Sequence, residues 1–135
     1  MGKKQNVQVV QKFYQLLQER DVPGVMSLLA EDVELVSPGP KELLPWAGEY
    51  HGPQGVLQYY TTFAEGVEFT GMEVEEFIAQ RDKVVALGHH KGRIRATGRT
   101  YDLAWAQVFT VREGKLAGLH FYHDSYVVAE AARGD

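Results

Sequence analysis

The strongest constraint in this chain is the stretch from Arg99 to Val128, which reads as two long strands. The strands are rich in Val, Phe, Tyr and Leu, and Glu113-Gly114 between them is a turn signal. A lone hairpin is only marginally stable in water, so both strands are expected to belong to a larger sheet. Polar and aromatic groups interrupt the apolar pattern at Trp105, Gln107, His120, Tyr122 and Asp124. This mixture predicts the lining of a pocket.

The composition is typical of one globular domain spanning residues 1–135. Hydrophobic residues make up 44% of the chain and charged residues 24%, and the length is sufficient for a single core. The net charge of −4, without a basic cluster, argues against a nucleic-acid partner. No apolar run reaches the roughly 20 residues of a membrane helix. Because cysteine is absent, we expect a cytoplasmic protein without disulfides or thiolate chemistry.

Helical patterns come first in the chain and strand patterns follow. Residues 6–19 carry apolar side chains at helical spacing, Asp21 and Pro23 mark a second short helix, and Pro53 opens a third. After a first strand at 32–36, four more are predicted at 72–79, 84–95, 101–111 and 116–128. The short connections between these four imply antiparallel pairing. The order predicts an α+β domain with the helices on one face of the sheet.

Three segments in this order resemble the SnoaL-like branch of the nuclear-transport-factor-2-like (NTF2-like) superfamily. They are LLAEDVELVSP, PWAGEYHGPQGV and GRTYDLAWAQVFTVREGKL. The resemblance implies an NTF2-like cone, in which a curved antiparallel sheet wraps around three N-terminal helices and leaves a deep, mostly apolar pocket. Similar proteins include steroid isomerases, epoxide hydrolases, polyketide cyclases, dehydratases and proteins that only bind ligands or partners, so the fold does not name the function. The outer face of the sheet commonly forms a homodimer in this family.

Two-residue turns at Thr97-Gly98 and Glu113-Gly114 would fix which residues share a face of the sheet. One face would carry the row His90–Trp105–Tyr122, flanked by Gln107–His120 and Leu103–Asp124. The opposite face would carry Leu87, Val108, Leu119 and Phe121, and we expect a homodimer through it. Three-residue turns with a β-bulge are the alternative to these two-residue turns. A one-residue slip would exchange His89 for His90, or Phe121 and His123 for Tyr122 and Asp124.

His90 and Asp124 are the candidate catalytic residues. A carboxylate in a strand of Tyr, His and Val is costly to bury without a partner or a task, and histidine can act as a base near neutral pH. By resemblance, both lie where the epoxide hydrolases have catalytic aspartates, but the arginine of that set is Gly88 here. The base and the oxyanion-binding tyrosine of the steroid isomerases correspond to Ser37 and Phe13. The alternatives are a solvated strand-end acid for Asp124 and an ordinary core histidine for His90.

The sequence therefore predicts binding of a small, mostly apolar organic molecule, and leaves open cofactor-free acid–base catalysis of the cyclase, isomerase or hydratase type. The alternative is a non-catalytic ligand-binding or protein-interaction domain of the same fold. No cofactor is expected, and no metal, because no ligand spacing typical of a zinc site occurs. The predicted ligand-binding residues are Phe13, Trp46, Tyr50, Phe63, Leu103, Trp105, Gln107, His120 and Tyr122.

Overall fold

A computed structural model of the chain describes residues 2–133 and contains four helices and six strands in that range. The elements, in chain order, are α1 (Lys3–Glu19), α2 (Val22–Ser27), β1 (Leu29–Ser37), β2 (Gly48–His51), α3 (Gly52–Gly66), β3 (Val67–Gln80), β4 (Lys83–Ile94), β5 (Thr100–Arg112), β6 (Lys115–His123) and α4 (Ser125–Ala132). None of the described helices has both the length and the apolar character needed to cross a membrane.

The six strands form one curved, unclosed sheet in the order β2-β1-β6-β5-β4-β3. Neighbouring strands are antiparallel except β1 and β6, which run parallel. The apolar side chains of α1 and α3 pack on the concave face together with those of the strands. The predicted α+β architecture, an NTF2-like cone, is confirmed.

The first two helices begin and pack as their sequence predicts. Val10, Phe13 and Leu16 are buried and recur at helical spacing along α1. At the start of α2, the Asp21 carboxylate accepts a hydrogen bond of 3.0 Å from the backbone N–H of Gly24, which caps the helix. The apolar face of α1 therefore orients the N-terminal part of the chain against the sheet.

The predicted strand at 116–128 is wrong beyond His123. There the chain turns into α4, because the Asp124 carboxylate accepts a hydrogen bond of 3.1 Å from the backbone N–H of Tyr126 and caps a new helix. Val128 and Ala131 of that helix are buried in the common core. No predicted strand corresponds to β2, and the predicted strand at 72–79 is shorter than β3.

The turn between β4 and β5 is longer than predicted, but the faces of the two strands are as predicted. Ile94 and Arg99 close the turn through a hydrogen bond of 2.8 Å, which leaves a four-residue loop at 95–98. His90 consequently pairs with Leu103 rather than with Trp105. Because the shift equals two residues, each side chain keeps its face. His90 lies on the concave face and His89 on the outer face.

The pairing of β5 with β6 changes faces through a β-bulge. The turn itself is as predicted, with Arg112 opposite Lys115 and positive φ angles at Glu113 and Gly114 (51° and 77°). Val111 then pairs with Leu116 but Thr110 pairs with Gly118, so β6 contains one extra residue.

The bulge allows two leucines three residues apart to point the same way. Leu116 and Leu119 are both buried, and regular alternation would expose one of them. From Leu119 onward the faces are therefore opposite to the predicted ones. Phe121 and His123 lie on the concave face, whereas His120 and Tyr122 lie on the outer face. The predicted concave row through Tyr122 and the predicted outer position of Leu119 and Phe121 are wrong.

Two glycines of β4 make room on the concave face for rings of β5. A Cβ atom on Gly88 would come within 2.4 Å of Trp105 Cζ2 and 2.3 Å of the Glu73 carbonyl oxygen. A Cβ atom on Gly92 would come within 2.6 Å of the Tyr101 hydroxyl. The rings of Trp105 and Tyr101 thus lie directly over glycine backbone.

We expect Gly88→Ala to destabilise the fold by about 1–3 kcal/mol, because neither the strand backbone of β3 nor the indole can move without loss of packing. The matched control is Gly71→Ala in β3, where a Cβ atom meets nothing within 4 Å. That variant should change stability by less than about 0.5 kcal/mol. Urea unfolding of both variants measures the difference, and equal midpoints would contradict the placement of Trp105.

Candidate functional site

Strand pairing orders the side chains of the concave face into rows. Starting at one end of β5, Tyr101 lies opposite Gly92, Leu103 opposite His90, and Trp105 between Gly88 and His123. The next row contains Gln107 between Ala86 and Phe121. No Asp, Glu, Lys or Arg is buried in residues 2–133. The concave face is therefore an apolar surface that carries a few uncharged polar groups.

His90 lies in these rows between aromatic rings. Its Nε2 lies 3.2 Å from the Tyr101 hydroxyl, and the rings of Phe69 and Tyr101 approach it edge-on, with centroids 5.3 and 5.4 Å away. Burial is the main reason that the pKa of His90 falls from 6.5 to about 4, and the nearby rings of His123 and His89 lower it further. The imidazole is therefore neutral near pH 7.

The Tyr101 hydroxyl keeps its proton near neutral pH. Burial raises the pKa of Tyr101 above its usual range. The hydrogen bond between this hydroxyl and His90 Nε2 can therefore form in either tautomer of the imidazole. When Nε2 carries no proton, the hydroxyl donates to it, and when Nε2 is protonated, the hydroxyl oxygen accepts. Within the described residues, His90 Nδ1 has no hydrogen-bond partner. Nδ1 is the nitrogen left for a ligand.

Apolar side chains on the exposed edge of the sheet give access to His90. Met72 of β3 lies opposite His90 and is 47% exposed, and Phe69 is 51% exposed. Phe63 of α3 packs against Phe69, with ring centroids 5.2 Å apart. We call the group formed by Phe63, Phe69, Met72, His90 and Tyr101 the His90 mouth. It combines exposed apolar surface with one half-buried polar group, as ligand sites do.

Behind the mouth, β5 contributes two buried polar side chains. Gln107 is 2% exposed, and its Oε1 accepts a hydrogen bond of 2.6 Å from the Tyr14 hydroxyl of α1. Trp105 is 7% exposed and packs beside Tyr14, with ring centroids 6.1 Å apart. The indole Nε1 of Trp105 and the amide Nε2 of Gln107 have no hydrogen-bond partner within residues 2–133, nor has His123 Nδ1.

The predicted catalytic pair of His90 and Asp124 does not meet on the concave face. Asp124 is exposed and its carboxylate caps α4 through the backbone N–H of Tyr126. It is not a buried acid, as the proposed acid–base role required, because the bulge in β6 and the end of that strand remove it from the predicted row. His90 remains, on the predicted face.

The predicted ligand-binding residues divide into three groups. Trp105, Gln107, Leu103 and Phe63 lie in or beside the rows around His90, whereas His120 and Tyr122 lie on the outer face, where their rings stack at 4.4 Å. The last group is packed away from the mouth in the core or under the β1–β2 loop: Phe13 at 0% exposure, Trp46 at 4%, and Tyr50, whose hydroxyl donates to the Trp46 carbonyl at 2.8 Å.

Four residues of the site were not predicted from the sequence, namely Tyr101, His123, Phe69 and Met72. Tyr101 could have been found, because it alternates with Leu103 and Trp105 along β5 and so shares their face. His123 depends on the bulge, for which the spacing of Leu116 and Leu119 was the available signal. Phe69 lies before the predicted start of its strand, so no pairing could be assigned to it.

His90 does not line either of two surface depressions formed by residues 2–133. A narrow apolar groove of about 70 Å³ lies between α1, α2 and α3. A wide, shallow depression of about 530 Å³ lies between the β4–β5 turn and α4, and Tyr101 forms part of its floor. Among residues 2–133, no three His, Asp or Glu side chains are grouped as a metal site.

A model of the SnoaL-like domain matches residues 10–119, which include His90 and the β4 and β5 residues of its rows. This chain belongs to the SnoaL-like family. An NTF2-like protein of Burkholderia xenovorans LB400 is 32% identical to it, with a TM-score of 0.91 over 98% of this chain and 99% of that one. A search of curated proteins found no match.

Two further solved structures of SnoaL-like shape carry functional names. TerC, crystallised with polyporic acid, is 24% identical, with a TM-score of 0.81 over 95% of this chain and 98% of that one. A candidate SnoaL-like polyketide cyclase of Mesorhizobium loti is 23% identical, with a TM-score of 0.69 over 86% and 97%. At these identities the likeness extends to the fold alone.

The lowered pKa of His90 should couple its protonation to folding. Between pH 6.5 and about 4 the unfolded chain binds a proton at this residue that the folded chain does not bind. Stability should therefore fall as the pH falls through this window. Relative to neutral pH, the wild type should lose up to about 3 kcal/mol more than His90→Gln, which cannot titrate.

Urea unfolding at neutral pH and near pH 4 measures this difference. His51→Gln is the control, because His51 is an exposed histidine whose side chain is 71% accessible. This control should follow the wild type. Parallel losses in the wild type and in His90→Gln would contradict a buried, neutral His90.

Proposed function

We propose that this SnoaL-like chain binds a small, mostly apolar organic molecule at the His90 mouth and that His90 acts on it as an acid–base group. The observation that carries the proposal is the neutral imidazole of His90, held among aromatic rings beside exposed Phe69 and Met72. Apolar walls provide affinity through burial of surface, and one polar group provides orientation. The names of TerC, crystallised with polyporic acid, and of the candidate polyketide cyclase support this class of ligand.

The arrangement favours proton transfer that needs no cofactor. A neutral His90 can accept a proton at Nδ1 from a carbon next to a carbonyl group while Nε2 remains bonded to the Tyr101 hydroxyl. Tyr101 then stabilises the imidazolium that forms and fixes the plane of the ring. Because Asp124 is not available as a second group, the same histidine returns the proton. Isomerisation or ring closure of a carbonyl compound requires this kind of step.

The second candidate is binding without catalysis. The pKa of about 4 makes His90 a weak base, and a general base is most effective when its pKa lies near the working pH. A site that only binds would keep the apolar walls and use His90 as a hydrogen-bonding group. The two candidates differ in whether a bound carbonyl compound exchanges its protons.

Proton exchange of a bound ketone tests the proposal. In D₂O the methyl protons of 2-acetonaphthone should exchange faster with the protein than in buffer, by a factor on the order of 10²–10⁴. The rate constant should be flat at neutral pH and fall as the pH drops through about 4, because only the neutral imidazole accepts a proton. Proton NMR follows the loss of the methyl signal.

Neighbouring histidines provide a matched pair of variants for this experiment. His90→Gln should reduce exchange to the rate in buffer, whereas His89→Gln, on the exposed outer face, should leave it within about twofold of the wild type. Binding of the ketone without accelerated exchange would favour the non-catalytic candidate. Failure of the ketone to bind, with no change in the NMR signals of His90, would contradict the proposed site.

We further propose that the outer face of the sheet forms a homodimer. An apolar stripe crosses five strands there, with Val36, His120, Val108, Val85 and Ile78 paired in sequence from β1 to β3. Ile78 is 49% exposed and Tyr122 beside the stripe is 51% exposed. An extended apolar patch of this kind favours association with a self-complementary surface. Leu119 and Phe121, predicted for this interface, do not belong to it.

A charge in the middle of the stripe tests the dimer. Val108→Lys should convert a dimer into a monomer, because a buried interface cannot accommodate an unpaired ammonium group. Val22→Lys introduces the same charge at an exposed position of α2, remote from the sheet, and should leave the dimer intact. Sedimentation velocity at micromolar concentration distinguishes these outcomes. A monomeric wild type would contradict the proposal.

A further inference from the structure

The two unpartnered N–H groups of β5 are the strongest unexplained feature of the interior. Trp105 and Gln107 are more than nine-tenths buried, yet Trp105 Nε1 and Gln107 Nε2 donate to no atom of residues 2–133. A buried donor without an acceptor costs about 1–3 kcal/mol. Two of them on one strand, in adjacent rows behind His90, are therefore unusual for a core that is otherwise well packed.

Contacts around Gln107 hold its amide in one orientation. The Tyr14 hydroxyl donates to Gln107 Oε1 at 2.6 Å, and burial keeps the pKa of Tyr14 above its usual range, so that this O–H remains a donor. Oε1 is thus occupied and Nε2 is directed elsewhere. The Tyr60 hydroxyl lies close enough to the same amide to lower the pKa of Tyr60 against the effect of burial. Because Nε2 carries two N–H groups and the Tyr60 hydroxyl could accept only one of them, at least one N–H of Gln107 is left without an acceptor in residues 2–133.

The indole of Trp105 is held in a similar way. Its ring lies against the backbone of Gly88 and beside Tyr14, which prevents rotation toward another acceptor. Side chains two residues apart on one strand face are separated by about 7 Å. Trp105 and Gln107 therefore place their donor nitrogens in adjacent rows of the same face of β5.

The side chains around Trp105 and Gln107 disfavour binding of a charged ligand. None of the strand residues facing inward from β3 to β6 is a Lys, Arg, Asp or Glu, and His90 is neutral near pH 7. A carboxylate bound here would lose its hydration without gaining an ion pair, which is far more costly than burial of a neutral carbonyl oxygen. Two N–H donors match acceptor oxygens and offer nothing to a ligand N–H or O–H group.

From these observations we propose that Trp105 and Gln107 determine the ligand class: an uncharged, flat molecule whose carbonyl or quinone-type oxygen accepts a hydrogen bond from the indole N–H, the amide N–H or both. This inference rests on the proposed function, because it uses the same site, and it adds the polarity and charge of the ligand. The apolar part of the molecule then extends toward the His90 mouth, and its oxygen points to the deeper rows.

Three probes of one shape test the class of ligand. They are 2-acetonaphthone with a neutral acceptor, 2-naphthoate with a charged one, and 2-ethylnaphthalene with none. At neutral pH the ketone should bind about tenfold more tightly than the hydrocarbon, since it gains one hydrogen bond. The carboxylate should bind at least tenfold more weakly than the ketone. Titration calorimetry of the 135-residue chain measures all three dissociation constants.

Variants separate the hydrogen bonds from the apolar contact. Trp105→Phe should weaken binding of the ketone about tenfold and binding of the hydrocarbon less than about twofold. The Gln107→Leu substitution is compared with its parent in a Tyr14→Phe variant. Removing both members of the Tyr14–Gln107 hydrogen bond avoids leaving one buried polar group without a partner, so the fold should remain stable. In that background Gln107→Leu should again weaken only the ketone.

Nitrogen-15 NMR gives a readout that does not depend on affinity. The chain has two tryptophans, so Trp46→Phe assigns the indole signal of Trp105. The ketone should move this N–H signal downfield and the hydrocarbon should not. Equal binding of carboxylate and ketone, or equal weakening of ketone and hydrocarbon by Trp105→Phe, would overturn the inference while leaving a binding site at His90. Absence of binding by all three probes would instead overturn the proposed function.

Discussion

The pairing of β5 with β6 is the constraint on which the remaining structure depends. Two buried leucines, Leu116 and Leu119, require an extra residue in β6, and the resulting bulge reverses the faces of the rest of that strand. His123 and Phe121 thereby join the concave rows. His120 and Tyr122 become part of the outer surface. One irregular residue thus decides both which groups can act in the site and which groups a partner could contact.

Desolvation is the common cause of the properties of the concave face. It lowers the pKa of His90, raises the pKa of Tyr101, and gives the free N–H groups of Trp105 and Gln107 their energetic importance. Because no Asp, Glu, Lys or Arg is buried within residues 2–133 and His90 is neutral, the site carries no charge near pH 7. Neutral chemistry on an apolar molecule is consistent with this environment, and recognition of a charged substrate is not.

A single hydrogen bond of Asp124 changes the role that the sequence suggested for this residue. Within an extended strand its carboxylate would face a large penalty for burial, and a catalytic role was the natural explanation. As the N-cap of α4 it is exposed and bonded to the backbone N–H of Tyr126. The cap also ends β6 and starts the helix whose Val128 and Ala131 extend the core beside Tyr101. Its contribution is structural, and the site retains one candidate base.

The sequence by itself determined the architecture and the family, and it favoured the observed face of His90 over the alternative with His89. Local signals were sufficient for these: helical spacing in α1, the Asp21 cap, the Glu113-Gly114 turn, and alternation along β4 and β5, where a two-residue error in pairing keeps every side chain on its face. Only the tertiary structure decided the face of β6, the fate of Asp124 and the partners of Trp105 and Gln107. The positions of a bulge and of a helix cap depend on which residues from other elements are buried at that point of the core. The alternation of side chains within one strand contains no information about those residues.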